Sequence, residues 1–277
     1  MSSPLRVVPL DPSDADDVAA TLADAFAGYP VMRDVLGPGG EQHHERLVRM
    51  FVMARVYRGE PMLGLRDGTN LVGAAIASFP GSPAPPEFTA LRAATWRVLG
   101  ADAEARYTAY TEATKAFAFP ADAVHLNMIG ARRDTQRRGL GRSLLDAVQA
   151  ISRARPGSPG VELTTETPAN VAYYESRGFQ LVGHTRVSPT LESWGFFRPN
   201  YAPIACSAHD QLEAAATLGR PLTIVYDGLD GRYEIREARI TDLESRDGAE
   251  FATLSTGQRI RLDRIVEIEG VSVRSAR

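Results

Sequence analysis

The chain has 277 residues, 44% of them hydrophobic and 23% charged, with 24 glycines and 18 prolines, a composition that excludes a disordered or fibrous protein and fits one large or two ordinary domains. Its 31 basic and 34 acidic residues leave a net charge of −3, which argues against a polyanion binder working along the whole chain. A single cysteine, Cys206, excludes an internal disulfide framework and a multi-cysteine zinc site. No stretch approaches the roughly 20 apolar residues of a membrane span. A cytoplasmic location is therefore expected.

Leu5 to Val8 reads as a strand, and Asp11-Pro12-Ser13 as an N-cap with proline at the first helical position. Val18, Leu22, Ala25 and Phe26 follow at helical spacing. A second helix is expected over about Gln42 to Tyr57, then a hairpin of Pro61 to Arg66 and Asn70 to Phe79 around Asp67-Gly68. Pro80 to Pro86 breaks all periodicity, and Ala90 to Ala118 reads as one more helical stretch.

Val124 to Ala131 reads as a strand that passes through Arg132–Leu140 into a helix carrying Leu144, Leu145, Val148 and Ile151, ended by the Pro156–Gly160 run. Val161 to Thr165 is the next strand, Ala169 to Ser176 a helix closed by Gly178, and Phe179 to Thr185 and Trp194 to Arg198 further strands. Alternation of this kind indicates an α/β or α+β layer architecture. Beyond residue 200 a short helix near Asp210 to Leu218 precedes close-spaced strands at Leu222–Tyr226, Tyr233–Thr241, Glu250–Leu254, Arg259–Leu262 and Ile265–Ile268, the texture of a small barrel. Two domains are expected, 1–199 and 200–277. Residues 201–277 hold 10 Arg and 13 Asp or Glu, so the second domain carries the whole charge excess.

Gln136-Arg137-Arg138-Gly139-Leu140-Gly141 lies between a strand and a helix. A helix N-terminus leaves N–H groups without intrahelical partners and its dipole favours an anion. Gly139 and Gly141 let the backbone approach a phosphate, and Arg137, Arg138 and Arg142 add positive charge. A dinucleotide fingerprint would need a third glycine where Leu144 stands, and an NTP-binding loop would need a Gly-Lys-Ser or Gly-Lys-Thr, yet Lys115 is the only lysine.

The segment resembles motif A of the GCN5-related N-acetyltransferase (GNAT) family. Asn170-Val171-Ala172-Tyr173-Tyr174-Glu175-Ser176-Arg177-Gly178-Phe179 resembles the family's later Asn-x-x-x-Tyr-x-x-x-Gly-Phe element. The resemblance covers about residues 4–198 and implies a mixed central sheet flanked by helices, with acetyl-CoA as acyl donor and no metal. It implies a splayed gap between the Val124–Ala131 and Val161–Thr165 strands, with pantetheine on the backbone of Ile129, Gly130 and Ala131, and pyrophosphate on residues 136–142. An amine would attack the thioester directly. Tyr174 would protonate or hydrogen-bond the departing thiolate, and Asn170 would hold the cofactor or its own loop. Tyr173 reads as a core aromatic. Glu166 and His125 are the candidates for the base, with proton transfer through water as the other route. The acceptor pocket falls on about Phe26–Leu36 and Phe79–Phe119.

The second domain resembles the Rho-binding antiterminator (Rof) family in Tyr201–Cys206, Asp210–Ala215, Asp242–Arg246 and Arg261–Ile265. That resemblance implies a small Sm-like barrel with an N-terminal helix that binds the terminator Rho, with Asp210 and Glu213 as the nearest acidic contacts, and no direct nucleic-acid or membrane binding. A docking or oligomerisation module is the other reading of this domain. For the whole chain, the alternative to an N-acetyltransferase is a regulatory protein that senses acyl-CoA without catalysis and acts through its C-terminal module in transcription antitermination.

Overall fold

The computed structural model describes residues 5–136, 139–200, 204–228, 232–246 and 249–273. The chain forms two compact units, 1–198 and 199–277.

The first unit opens with β1 (Val7–Leu10) and α1 (Ala15–Ala25). Asp11 caps the turn between them, its side chain accepting from Ser13 N at 2.8 Å. Then come α2 (Pro30–Leu36), α3 (His44–Arg58), β2 (Met62–Asp67) and β3 (Asn70–Ser78). The short helix α2, begun by Pro30, was not anticipated from the sequence. The stretch expected as one helix is two, α4 (Pro86–Leu99) and α5 (Ala101–Thr114), because Gly100 stands between them at φ +92 and ψ 157. There follow β4 (Val124–Ala131), α6 (Leu140–Ala154), β5 (Gly160–Thr165), α7 (Ala169–Glu175), β6 (Gln180–Ser188) and β7 (Leu191–Pro199).

These strands form one sheet in the order β1-β2-β3-β4-β5-β7-β6. The β4–β5 pair is parallel, whereas the β1–β2, β2–β3, β3–β4 and β6–β7 pairs are antiparallel. Leu144, Leu145 and Val148 on one stripe of α6 bury against Val124, Leu126 and Leu163 on one sheet face. Leu22 of α1 and Leu47 of α3 bury against Ile76 and Met128 on the other. Where β6 meets β7, Gly183 pairs with Gly195. A Cβ at either would lie within 2.5 Å of the Phe117 ring, so the two glycines make the slot that this ring fills.

The second unit has α8 (Cys206–Leu218), then β8 (Leu222–Asp227), β9 (Arg232–Ala238), β10 (Ile240–Arg246), β11 (Ala249–Leu254), β12 (Arg259–Arg261), β13 (Ile265–Ile268) and β14 (Val271–Ser272). The single strand expected over Tyr233–Thr241 is broken at Arg239, where the chain passes from one sheet to another between β9 and β10, and Glu237, at φ +56, marks a bulge in β9 just before it. Its described strands make a four-stranded sheet, β14-β13-β8-β9, and a three-stranded sheet, β10-β11-β12. They share a core with Leu212 of α8, Ile224, Ala252 and Ile265. The all-β texture with a leading helix is present, while the described strands are joined as two sheets rather than one closed ladder. Among the described residues of the whole chain, no helix is long and apolar enough to cross a membrane.

Candidate active site

The parallel ladder between β4 and β5 has two rungs, Val124 with Val161 and His125 with Glu162. Beyond them the strands part, and among the described residues the β5-facing edge of β4 has no further strand partner. A bulge sits at the point of parting: against β3, the register slips between Ile76–Met128 and Ala77–Leu126, leaving Asn127 as the extra residue. The Asn127 carboxamide oxygen accepts from Arg55 Nη1 at 2.6 Å. Arg55 is itself buried and forms an ion pair with Glu60, Nε to Oε2 3.1 Å. Glu60 uses its other oxygen to accept from Phe79 N at 3.0 Å.

A cavity of about 170 Å³ lies at this opening, lined by Asn127, Met128 and Ile129 of β4, Leu163 and Thr164 of β5, and side chains of the helices facing them. Glu166, just past the end of β5, lines it and is 5% exposed. Its Oε1 accepts from the Tyr110 hydroxyl at 2.8 Å and the Ser193 hydroxyl at 2.9 Å. Burial raises the Glu166 pKa above the ordinary carboxylate range, against those hydrogen bonds, which favour the charged form. Tyr29 accepts from the Glu166 backbone N–H at 3.1 Å and shares a 2.8 Å hydrogen bond with Thr165. Burial, with the nearby Glu166 charge, pushes its phenol up to about 12.

Tyr174 and Asn170 line the same cavity. The Tyr174 ring is buried between Phe179 and Phe196, with centroids 5.5 Å and 5.7 Å away. Burial first, and then the proximity of Tyr29, Tyr173 and Glu166, raise its phenol pKa far above the usual value, so it keeps its proton at neutral pH. The Asn170 amide donates to Thr165 Oγ1 at 3.0 Å and ties α7 to the end of β5. Tyr173, read from the sequence as the core aromatic, is half-buried and carries Arg177 over its ring at 5.3 Å. Of the two tyrosines, Tyr174 has the ring in the core.

His125 also lines the cavity, but Nδ1 lies 3.1 Å from Glu162 Oε1, at the rung where β4 and β5 are still paired. It is thus engaged on the strand and stands away from the Glu166 end.

The α6 N-terminus lies beyond the β4 edge. Gly139 is its N-cap, at φ +77 in the left-handed region, and among the described residues no side chain caps the first turn. The leading N–H groups therefore meet no competing side-chain acceptor there. Gly141 follows on that turn, where an added Cβ would stand 3.1 Å from the Tyr173 hydroxyl. Leu140 is buried in the core and anchors the turn. Arg137 and Arg138 lie outside the described residues. Arg142, expected as a cation for the anion, is paired along its own helix with Asp146, Nε to Oδ2 3.7 Å, which offsets its charge. Gln136 donates from Nε2 to the Ala131 carbonyl at 3.2 Å, so one lone pair of that carbonyl is already used. The residue of this edge that remains for a ligand's amides is Ile129, because the pairing with β3 that puts Arg132 N on the Val72 carbonyl also turns the backbone groups of Gly130 toward β3.

Tyr29, Tyr110 and Ser193 are the site residues not singled out from the sequence. Tyr29 and Tyr110 line the cavity and Ser193 reaches it only through Glu166, each from a distant segment, and none sits in a motif of its own. On the second unit, Asp210 and Glu213 are exposed on α8, and Glu213 lies 3.7 Å from His209 Nδ1. His209, Asp210 and Glu213 bring three possible ligand atoms within 4.8 Å of one another. His209 also faces Glu250 at 3.4 Å, so it is engaged on both ring nitrogens.

Residues 90–192 match the model of the acetyltransferase (GNAT) domain family. Two solved structures share the fold of the first unit. One is arylalkylamine N-acetyltransferase 2 of Aedes aegypti, with 15% identity, 70% of this chain and 98% of that one covered, and a TM-score of 0.54. The other is a Corynebacterium glutamicum protein named histone acetyltransferase HPA2 and related acetyltransferase, with 17% identity, 72% and 97% covered, and a TM-score of 0.50. No curated protein matches the sequence.

Proposed function

We propose that this chain, whose residues 90–192 match the acetyltransferase (GNAT) domain model, is an N-acetyltransferase whose site works as follows. Acetyl-CoA is the donor, bound across the parted β4 and β5 edges with its pyrophosphate at the α6 N-terminus. The uncapped first turn, the left-handed Gly139 and the β4 edge at Ile129 suit that ligand. The thioester supplies an activated acyl group. What the chain supplies is placement and two proton-handling groups.

Glu166 takes the proton from the incoming ammonium, so that the amine's lone pair is free to form the C–N bond. Its raised pKa makes it a stronger base than an exposed carboxylate, nearer to what neutral pH demands. As the C–S bond breaks, the nitrogen gives up its second proton, which ends on the departing thiolate, while the Tyr174 hydroxyl hydrogen-bonds the sulfur and offsets its growing charge. A phenol kept protonated by burial is suited to donating. The reading rests on one observation: Glu166 and Tyr174 line the same small cavity, at the place where β4 and β5 separate. No side chain has to accept the acetyl group, and exposed Cys206 on the other unit has no part in it.

Tyr174→Phe keeps the ring packed against Phe179 and Phe196 and removes only the donor. We expect it to lower kcat by about a hundredfold, within the range for a lost proton-transfer group, with acetyl-CoA affinity unchanged. A large loss of affinity at normal kcat would contradict the role.

For the second unit we propose an Sm-like module that binds Rho through α8, on the strength of its sequence resemblance and the exposure of Asp210 and Glu213. Pull-down of Rho by the full chain, lost in the Asp210→Arg, Glu213→Arg double variant, is the expected result. No complex with the wild-type chain would leave a docking or oligomerisation module.

A further inference from the structure

Accepting the acetyl-transfer reading, the walls of the cavity identify the acceptor's chemical class. We propose that the acceptor is a compact monoamine with an apolar, aromatic body, and that polyamines and peptide amines are poor substrates.

Aromatic rings line the cavity in two groups. The rings of Phe26 and Tyr29, with centroids 4.8 Å apart, make one group. Phe51, Tyr107 and Tyr110 run in series as a second group, with centroid spacings of 5.7 Å and 6.5 Å. Among the described residues, the only carboxylate lining the cavity is Glu166. One ammonium therefore has a partner, and the rest of the ligand meets rings and aliphatic side chains interrupted by the neutral polar groups of Asn127, Thr164 and Asn170.

A second ammonium would have to be buried without a counter-charge, which is strongly unfavourable. His125 offers it none: its Nδ1 already faces Glu162, and as an imidazolium it would repel the ligand. A peptide fails for a different reason. Its backbone groups need several polar partners, and those of the cavity are few and already partly engaged: Asn127 accepts from Arg55, Thr164 bonds Tyr110, and Asn170 donates to Thr165. The volume of about 170 Å³ also lies below the roughly 300–1,000 Å³ of pockets that hold drug-sized ligands. It suits one ring and a short arm.

The test is a panel of acceptors assayed with the full chain at saturating acetyl-CoA: a short alkylamine, a phenylalkylamine, a diamine of the same length, and a peptide with a free amino terminus. The phenylalkylamine should exceed the diamine and the peptide in kcat/KM by about tenfold or more. Val31 is half-buried on the cavity wall, and Val31→Asp should raise the ratio of diamine to phenylalkylamine turnover by about tenfold, by supplying the missing counter-charge. A wild-type diamine or peptide rate above that of the phenylalkylamine would overturn the acceptor class while leaving acetyl transfer intact. Absence of turnover with every amine would overturn both.

Discussion

The Tyr110 hydroxyl donates to Glu166 Oε1 over 2.8 Å, joining the middle of α5 to the residue that follows β5. The bond stabilises the charged carboxylate, and burial opposes it. A base must be ionised to act, so kcat/KM rises with pH as Glu166 loses its proton, with the limb above the ordinary carboxylate range. Tyr110→Phe removes a hydrogen bond that lowers the pKa. The limb should therefore move to higher pH, and Glu166→Gln should abolish it. A limb that stays in place in Tyr110→Phe would show that another group titrates.

The same group makes a statement about stability. Its pKa is raised in the folded state, so the unfolded chain gives up this proton more readily. Stability tied to Glu166 is then full below the ordinary carboxylate value and is lost as pH rises through the folded value. Glu166→Gln can still accept from Tyr110 and Ser193 and escapes that loss. Near neutral pH it should have a higher Tm than the wild type, with the difference vanishing in acid. Thermal melts across that range would decide it, and a lower Tm at neutral pH would contradict the sign.

Arg55 and Glu60 are an ion pair with side chains 7% and 1% exposed, next to the bulge that parts β4 from β5. Arg55→Leu would leave the Glu60 carboxylate buried without its counter-charge, and should cost about 3–5 kcal/mol. Adding Glu60→Gln to that variant should restore part of the loss. A double-mutant cycle by urea unfolding measures this, and strict additivity would show that the pair is not coupled.

At Gly139, φ is +77. Gly139→Val would place a β-branched residue in the left-handed region, at a cost of about 1–2 kcal/mol in the bound geometry, or about tenfold or more in acetyl-CoA affinity. Titration calorimetry giving wild-type affinity would remove this turn from the donor site.

How far the sequence was readable varies with how local the signal is. The stripe of Leu144, Leu145 and Val148, the Asp11 cap and the turn at Asp67-Gly68 rest on short-range periodicity and turn chemistry, and appear in the structure as α6, the β1–α1 junction and the β2–β3 hairpin. Gly100 was missed as a helix break because a lone glycine inside an apolar-periodic stretch does not state its φ. The loop motif led to the α6 N-terminus, yet Arg142's pairing with Asp146 and Gln136's bond to Ala131 depend on side-chain direction. Tyr29, Tyr110 and Ser193 converge on the end of β5 from three distant segments. Nothing local to any of them announces that meeting. On the second unit, what periodicity presents as one strand divides at Arg239, just after a bulge in β9 where Glu237 has positive φ.

The most direct test of the account is free thiol released from acetyl-CoA, followed continuously with the full chain in the presence and absence of a phenylalkylamine. The account predicts release that requires the amine, yields the N-acetylated amine in equal amount, and falls by about a hundredfold in Tyr174→Phe. Tight acetyl-CoA binding with no amine-dependent release, or release at the same rate without amine, would contradict it.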